Sequence, residues 1–207
     1  MENTYVDPVM MDLFEFRPRK GDLKKAEIIN ATIECLATIG FENTSFEAIA
    51  KKIGTRRAHV NYYFPNKDEI FLSAIKYIAA TYQSISLENL EQAKDSKELL
   101  NLYIEGPFIW AKKHPYQLSV MFLLYYLSTF KKEYLEINHQ IRKGGVTRIT
   151  YLLGQMNPRT KSSTLQTKAK SIQNILSGCL LDVATTKTKS LQSAEKEAKI
   201  LINRLLK

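Results

Sequence analysis

The sequence has few cysteines, which cross-link small secreted proteins, and few prolines and glycines, which interrupt helices. Its 207 residues include two cysteines, six prolines and eight glycines. Cys35 and Cys179 are too few for a disulfide framework and belong to no paired metal motif, which favours a reducing, cytoplasmic setting. The longest strongly apolar stretch, residues 120–127, is far shorter than the roughly 20 residues of a membrane-spanning helix.

Motifs of catalysis are also missing from the sequence. It contains no nucleophile–base pair, no glycine-rich phosphate loop and no cluster of metal-ligating residues. His139 follows Glu136 by three residues, but two ligands are too few for a metal site. The sequence therefore predicts a protein that is not an enzyme and that needs neither a cofactor nor a metal.

What the sequence does contain is helical periodicity. Apolar residues recur at intervals of three and four along most of the chain, which predicts an all-α fold of about nine helices. We expect an N-terminal arm over residues 1–21, a first helical domain over 22–82 and a larger helical domain over 83–207. The 30 basic and 21 acidic residues give a net charge of +9, which favours an anionic partner.

Residues 45–64 have the spacing of a helix-turn-helix. Ala50 is small where two short helices must approach closely, and Gly54 can take the positive φ of a sharp turn. Val60 is placed to fill the angle between the two helices, while Ile49 and Ile53 complete the inner face. This spacing predicts that the second helix projects into a DNA major groove.

The outward face of that second helix carries side chains suited to DNA. Arginine can pair with guanine, asparagine with adenine, and alanine can touch a thymine methyl group. The predicted base contacts are Arg57, Ala58, His59 and Asn61. The predicted contacts to the DNA backbone are Thr44, Ser45, Arg56, Tyr62, Tyr63 and Lys67. Arg17, Arg19 and Lys20 precede the first helix and form either a minor-groove arm or a plain flexible tail.

These residues resemble the DNA-binding domain of the TetR family of bacterial transcriptional regulators. The resemblance covers residues 22 to about 70 and rests on Ile39-Gly40-Phe41, Thr44-Ser45, Ile49-Ala50, Gly54 and the run Tyr63-Phe64-Pro65-Asn66-Lys67-Asp68-Glu69. It implies a homodimer, a palindromic operator and a ligand-controlled C-terminal domain. The chain departs from the family at Ala58-His59, at Asn61 and at Glu47, so its base-reading surface is individual.

Aromatic residues are concentrated between Tyr103 and Tyr134. They indicate either ordinary core packing or an apolar cavity in which tyrosine hydroxyls orient a ligand. The resemblance to the TetR family favours the cavity, which would be a binding site for an unknown small-molecule effector. The candidate ligand-binding residues are Tyr103, Trp110, Phe122, Tyr126 and Tyr151.

Two narrow apolar seams run along the last two predicted helices. They fit either the core of one subunit or the interface of a homodimer, and a regulator that places two recognition helices on one duplex favours the interface. The candidate interface residues are Leu165, Ala169, Ile172, Leu176, Leu191, Ala194, Ala198, Leu201 and Leu205.

The function that the sequence predicts is ligand-responsive regulation of transcription. The dimer would repress by binding a palindromic operator and would be released by a small, largely apolar ligand. The alternative is a DNA-binding adaptor or architectural protein of the same fold that has no small-molecule ligand.

Overall fold

The computed structural model describes residues 23–186 and 188–207. Within these ranges it contains nine α-helices and no β-strand, which confirms the all-α prediction. The predicted arm over residues 1–21 lies outside the described residues. The helices are α1 (Leu23–Asn43), α2 (Phe46–Lys52), α3 (Arg57–Tyr63), α4 (Lys67–Leu90), α5 (Ser96–Lys113), α6 (Pro115–Leu127), α7 (Lys132–Met156), α8 (Ser162–Thr186) and α9 (Leu191–Leu206).

Local signals interrupt α1 and begin α2 and α4. Gly40 interrupts α1 with a φ of 78°, as expected for a residue without a Cβ. The Ser45 hydroxyl caps α2 by accepting a hydrogen bond from the amide of Ala48 at 3.1 Å. The Asn66 side chain caps α4 by accepting from the amide of Glu69 at 2.8 Å. Each of these bonds spans three residues, so the sequence signals them directly.

The described residues form two compact units. The first unit contains residues 23–80 and 114–135, and the second contains 81–113, 136–186 and 188–207. The chain passes from one unit into the other within α4, between α5 and α6, and within α7.

This division differs from the predicted domains 22–82 and 83–207. The structure places α6 in the first unit, where it packs against α1. Its side chains Leu118, Leu124 and Leu127 are buried. Periodicity shows that such a helix has an apolar face but does not show which distant helix covers that face.

In the second unit, α9 packs against both α8 and α5. The ammonium group of Lys199 pairs with carboxylate oxygens of Glu105 on α5 and Glu195 on α9, each at 2.6 Å.

Across the described ranges no helix combines the length and apolarity needed to cross a membrane.

The packing of α8 and α9 corrects most of the predicted dimer interface. Six of the nine candidate residues are buried inside one chain and form the core of the second unit; they are Leu165, Ala169, Ile172, Leu176, Ala194 and Ala198. Leu191, Leu201 and Leu205 keep part of their surface exposed. The first six pack within a single subunit because α8 and α9 bury their small and apolar stripes against each other.

Candidate nucleic-acid interface

Helices α2 and α3 pack against each other across a tight turn. Ile49, Ala50 and Val60 are fully buried between the helices of the first unit. Gly54 has a φ of 64°, and the amide of Thr55 donates to the carbonyl of Ala50 at 2.9 Å. The roles predicted for Ala50, Gly54 and Val60 are confirmed, because these residues close the turn and fill the angle.

The opposite face of α3 is open to solvent. Arg57, Ala58 and Asn61 are exposed, as is Arg56 immediately before the helix. Tyr62 leaves 82% of its surface uncovered, which is unusual for a large aromatic side chain. The four predicted base-contact positions therefore lie on or beside an open helix face.

His59 and Tyr63 are held more tightly than their neighbours on α3. The Nδ1 atom of His59 lies 3.0 Å from the Thr55 hydroxyl, and its ring lies 5.4 Å from the Tyr63 ring. The Tyr63 ring also meets the edge of Tyr62 at 5.2 Å. These contacts fix the orientation of His59 on the helix while its side chain stays half-exposed.

A depression of about 360 Å³ opens beside α3. It brings Arg57 next to the start of α2, where the first amides have no acceptor within the helix and the helix dipole favours an anion. Glu47 contributes an exposed carboxylate to the rim, so the depression is not uniformly basic. Its lining residues are Thr44, Ser45, Phe46, Glu47, Arg57, Asn66 and Lys67.

Two of the predicted backbone contacts have other partners in the structure. Thr44 is only 2% exposed, and its hydroxyl donates to the carbonyl of Gly40 at 2.7 Å. Lys67 donates to the carbonyl of Phe41, and its ammonium group lies 4.1 Å from the centre of the Phe41 ring. Burial lowers the pKa of Lys67 from its ordinary value. Both side chains are bonded to the end of α1, although they also line the depression beside α3. The Thr44 hydroxyl donates its one proton to Gly40, whereas the Lys67 ammonium group keeps further N–H donors, so a phosphate contact by Lys67 stays a prediction.

The five candidate ligand-binding residues do not come together in one unit. Tyr103 and Trp110 are buried in the second unit, whereas Phe122 and Tyr126 belong to the first, and Tyr126 is 66% exposed. Tyr151 belongs to the second unit and is also exposed. The single aromatic site stays a prediction, and the five residues belong to two different units because helical periodicity does not separate aromatic residues of one helix pair from those of another.

The second unit instead contains polar groups that sequence reasoning missed. Nε2 of Gln83 and Oδ1 of Asn138 are buried without a hydrogen-bond partner. Next to Gln83 on α4, the Tyr82 ring meets Trp110 at 5.8 Å, and burial raises the pKa of Tyr82. Buried polar atoms without partners are rare in folded proteins and commonly mark places where water or a ligand binds.

Comparison with known proteins agrees with this geometry. A family model described as bacterial regulatory proteins, tetR family, matches residues 28–74. The HTH-type transcriptional regulator RutR of Escherichia coli (strain K12) is 31% identical over 62 residues, which are 30% of this chain and 29% of RutR. The fatty acid metabolism regulator protein of Bacillus subtilis (strain 168) is 29% identical over 85 residues, which are 41% of this chain and 44% of that protein. The chain thus matches less than half the length of each relative.

Solved structures share the fold over a much larger part of the chain. A transcriptional regulator from Saccharomonospora viridis, crystallised in complex with choline, has a TM-score of 0.78 at 18% identity and covers 87% of this chain and 95% of its own. The fatty acid degradation regulator FadR from Bacillus halodurans has a TM-score of 0.74 at 19% identity and covers 91% and 97%. Residues 28–74 are thus similar to the tetR family of bacterial regulatory proteins, and most of the chain has the fold of these solved structures.

Proposed function

We propose that this protein regulates transcription by binding a palindromic operator as a homodimer, with α3 of each subunit in the major groove. The observation that carries the proposal is the open face of α3, with Arg57 placed beside the start of α2. An exposed arginine at the start of a recognition helix can reach guanine while the neighbouring helix start receives a phosphate. Regulators of this family are DNA-binding proteins and not enzymes, as the sequence predicts.

The structure refines which residues we expect to touch DNA. We retain the four predicted base contacts Arg57, Ala58, His59 and Asn61. For the DNA backbone we retain Ser45, Arg56, Tyr62 and Tyr63, and we add the amides at the start of α2. Thr44 leaves this set because the only proton of its hydroxyl is already donated within the chain. Lys67 also leaves it, because we expect the bond to Phe41 to hold its ammonium group away from phosphate.

We place the subunit interface on the outward faces of α8 and α9. Leu181, Ile200 and Leu201 are exposed there although they are large and apolar. Gly178, on the same helix as Leu181, has no atom within 4 Å of the position that a Cβ would occupy. A small residue among exposed apolar side chains favours close helix packing across a two-fold axis.

We propose that a small, largely apolar ligand binds in the second unit and releases the protein from its operator, so that the protein acts as a repressor in the cytoplasm. The buried tyrosine and tryptophan rings and the unpaired polar atoms of Gln83 and Asn138 support a mainly apolar site with a few directing groups. The choline complex of the regulator from Saccharomonospora viridis supports ligand binding in a protein of this fold.

Selection of bound sequences from a random duplex pool tests the DNA-binding proposal. Wild-type protein should enrich a palindrome, and Arg57→Ala should lose definition at one base pair of each half-site, since a bidentate base contact contributes ~1–3 kcal/mol of discrimination. Arg159→Ala removes the same charge from an exposed loop position between α7 and α8 and should leave the motif unchanged. No enrichment by the wild-type protein at low salt would refute sequence-specific DNA binding.

A further inference from the structure

The first turn of α4 is bonded to a segment more than 60 residues away. The ammonium group of Lys131 lies 2.7 and 3.0 Å from the two carboxylate oxygens of Asp68, and the hydroxyl of Tyr134 donates to the same carboxylate. Asp68 is the second residue of α4, and Tyr134 is the third residue of α7. Tyr134 is fully buried, so its hydroxyl bonds the carboxylate from inside the first unit.

The protonation equilibria agree with this arrangement. The hydrogen bond from Lys131, followed by the bond from Tyr134, lowers the pKa of Asp68 from its ordinary value. Burial, followed by the bond to Asp68, raises the pKa of Tyr134. Asp68 is therefore ionised and Tyr134 protonated at neutral pH, which is the state in which both hydrogen bonds form.

Aromatic contacts connect the same turn of α4 to the end of α1. The Phe71 ring lies 5.0 Å from the Tyr134 ring and 5.7 Å from the Phe41 ring, with its edge or face turned to each at a steep angle. Phe71 is almost completely buried. We call Asp68, Phe71, Lys131 and Tyr134 the α4–α7 clamp. The clamp fixes the first turn of α4 from one side, while Lys67 fastens it to Phe41 from the other.

The position of this turn determines where the recognition helix lies. Only residues 64–66 separate the end of α3 from the start of α4. Phe64 is buried and Asn66 caps α4, so this short connection has little freedom of its own. A shift at the start of α4 is therefore passed on to Tyr63 and the rest of α3.

We propose that Asp68 is a positioning residue for DNA binding, which acts through the α4–α7 clamp to hold α3 at the angle that fits the operator. This inference rests on the proposed function, since it assumes that α3 binds DNA. Helices α4 and α7 both continue into the second unit, so a conformational change there can alter DNA affinity through α7 and the clamp as well as through α4.

The test compares two acidic neighbours in the first turn of α4 that have different partners. Asp68→Asn and Glu69→Gln each remove one negative charge from the first turn of α4, but Glu69 bonds only within that turn, to Asn66. Simple electrostatics predicts that both substitutions strengthen DNA binding, because each removes repulsion from phosphate. The clamp predicts opposite signs: Glu69→Gln binds the operator as well as or better than wild type, and Asp68→Asn binds about tenfold more weakly.

Tyr134→Phe provides a second variant that changes no charge and keeps the ring beside Phe71. It should also weaken operator binding, and its combination with Asp68→Asn should cost less than the product of the two separate losses, because the first substitution removes and the second weakens the same bond. Dissociation constants are measured on the duplex that the wild-type protein selects, at a temperature at which thermal unfolding shows every variant to be folded. Under that condition a loss of stability alone leaves the dissociation constant unchanged.

The outcomes separate this inference from the proposed function. A wild-type protein that selects no duplex overturns the proposed function and the inference with it. A wild-type protein that binds, with Asp68→Asn and Tyr134→Phe binding as Glu69→Gln does, overturns the clamp alone. Weaker binding by both clamp variants with a non-additive double variant supports it.

Discussion

Replacing Lys67 by methionine distinguishes an ammonium group that stabilises the fold from one that contacts DNA. The substitution keeps the aliphatic stem over the Phe41 ring but removes the charge. The lost interactions are one charged hydrogen bond, worth ~1.5–3 kcal/mol, and one cation–π contact, worth ~0.5–1 kcal/mol. Together the two contributions amount to about 2–4 kcal/mol. Because Lys67 is half-exposed and its ammonium group regains hydration on unfolding, we reduce this sum to about 1.5–2 kcal/mol.

For a chain of this length, that change in unfolding free energy should lower the melting temperature by about 3–8 °C. Circular dichroism during heating measures the shift. Lys76→Met, at an exposed position of the same helix, removes the same charge and should leave the melting temperature nearly unchanged.

The salt dependence of operator binding tests the alternative role. A lysine that contacts a phosphate contributes about 0.9 to the slope of log affinity against log salt concentration. Lys67→Met should keep the wild-type slope in fluorescence anisotropy titrations if the contact with Phe41 holds the ammonium group away from DNA, as we propose. A reduced slope together with an unchanged melting temperature would refute this reasoning and restore Lys67 as a backbone contact.

Three further predictions concern stability and assembly. Gly54→Ala should destabilise the protein by ~1–2 kcal/mol in urea unfolding, because alanine is strained at a φ of 64°. The control Gly154→Ala lies in a helix with only an ordinary contact at 3.8 Å and should be neutral or stabilising. A larger loss of stability in Gly154→Ala than in Gly54→Ala would contradict the argument. Because the pKa of Asp68 is lowered in the folded protein, the ionised carboxylate stabilises the fold above its ordinary pKa of 3.8, and this effect is lost as the pH falls through the folded-state pKa. The difference in melting temperature between wild type and Asp68→Asn should therefore shrink in acid. A difference that stays constant with pH would show that ionisation of Asp68 does not contribute to stability. Leu181→Glu should shift the sedimentation coefficient from that of a dimer to that of a monomer. Ile172→Ala should instead lower the unfolding free energy by ~2–5 kcal/mol and leave the dimer intact. If Leu181→Glu remains a dimer, the interface does not include the surface around Leu181.

Short-range features of this protein could be predicted from the sequence. Ser45 and Asn66 each cap a helix by bonding an amide three residues ahead, and Gly54 supplies the positive φ of the turn between α2 and α3. These features depend on a few adjacent residues, so the residue types alone specify them. For the same reason the helical class and the helix-turn-helix follow from the pattern of residues along the chain.

The contacts of the predicted DNA-backbone residues show where local reasoning ends. Thr44 and Lys67 occupy positions that suit phosphate contact by spacing, but the folded chain provides them with nearer acceptors at Gly40 and Phe41. The acceptor of Lys67 lies 26 residues earlier in the chain. A sequence pattern indicates which donors exist, whereas only the fold shows which donors are already bonded.

The sequence by itself determined the helical class, the recognition helix and its outward side chains, because helix period, capping and turn chemistry act over a few residues. Only the tertiary structure decided that α6 packs on α1, that Ala169 and Ala198 are core residues of one subunit, and that Asp68 bonds Tyr134 across 66 residues. An apolar stripe gains the same free energy from any apolar surface that covers it, so periodicity shows that a face is buried without identifying its partner. Which helix covers a given face depends on the packing of the whole chain, because a surface that one helix already covers is closed to the other helices.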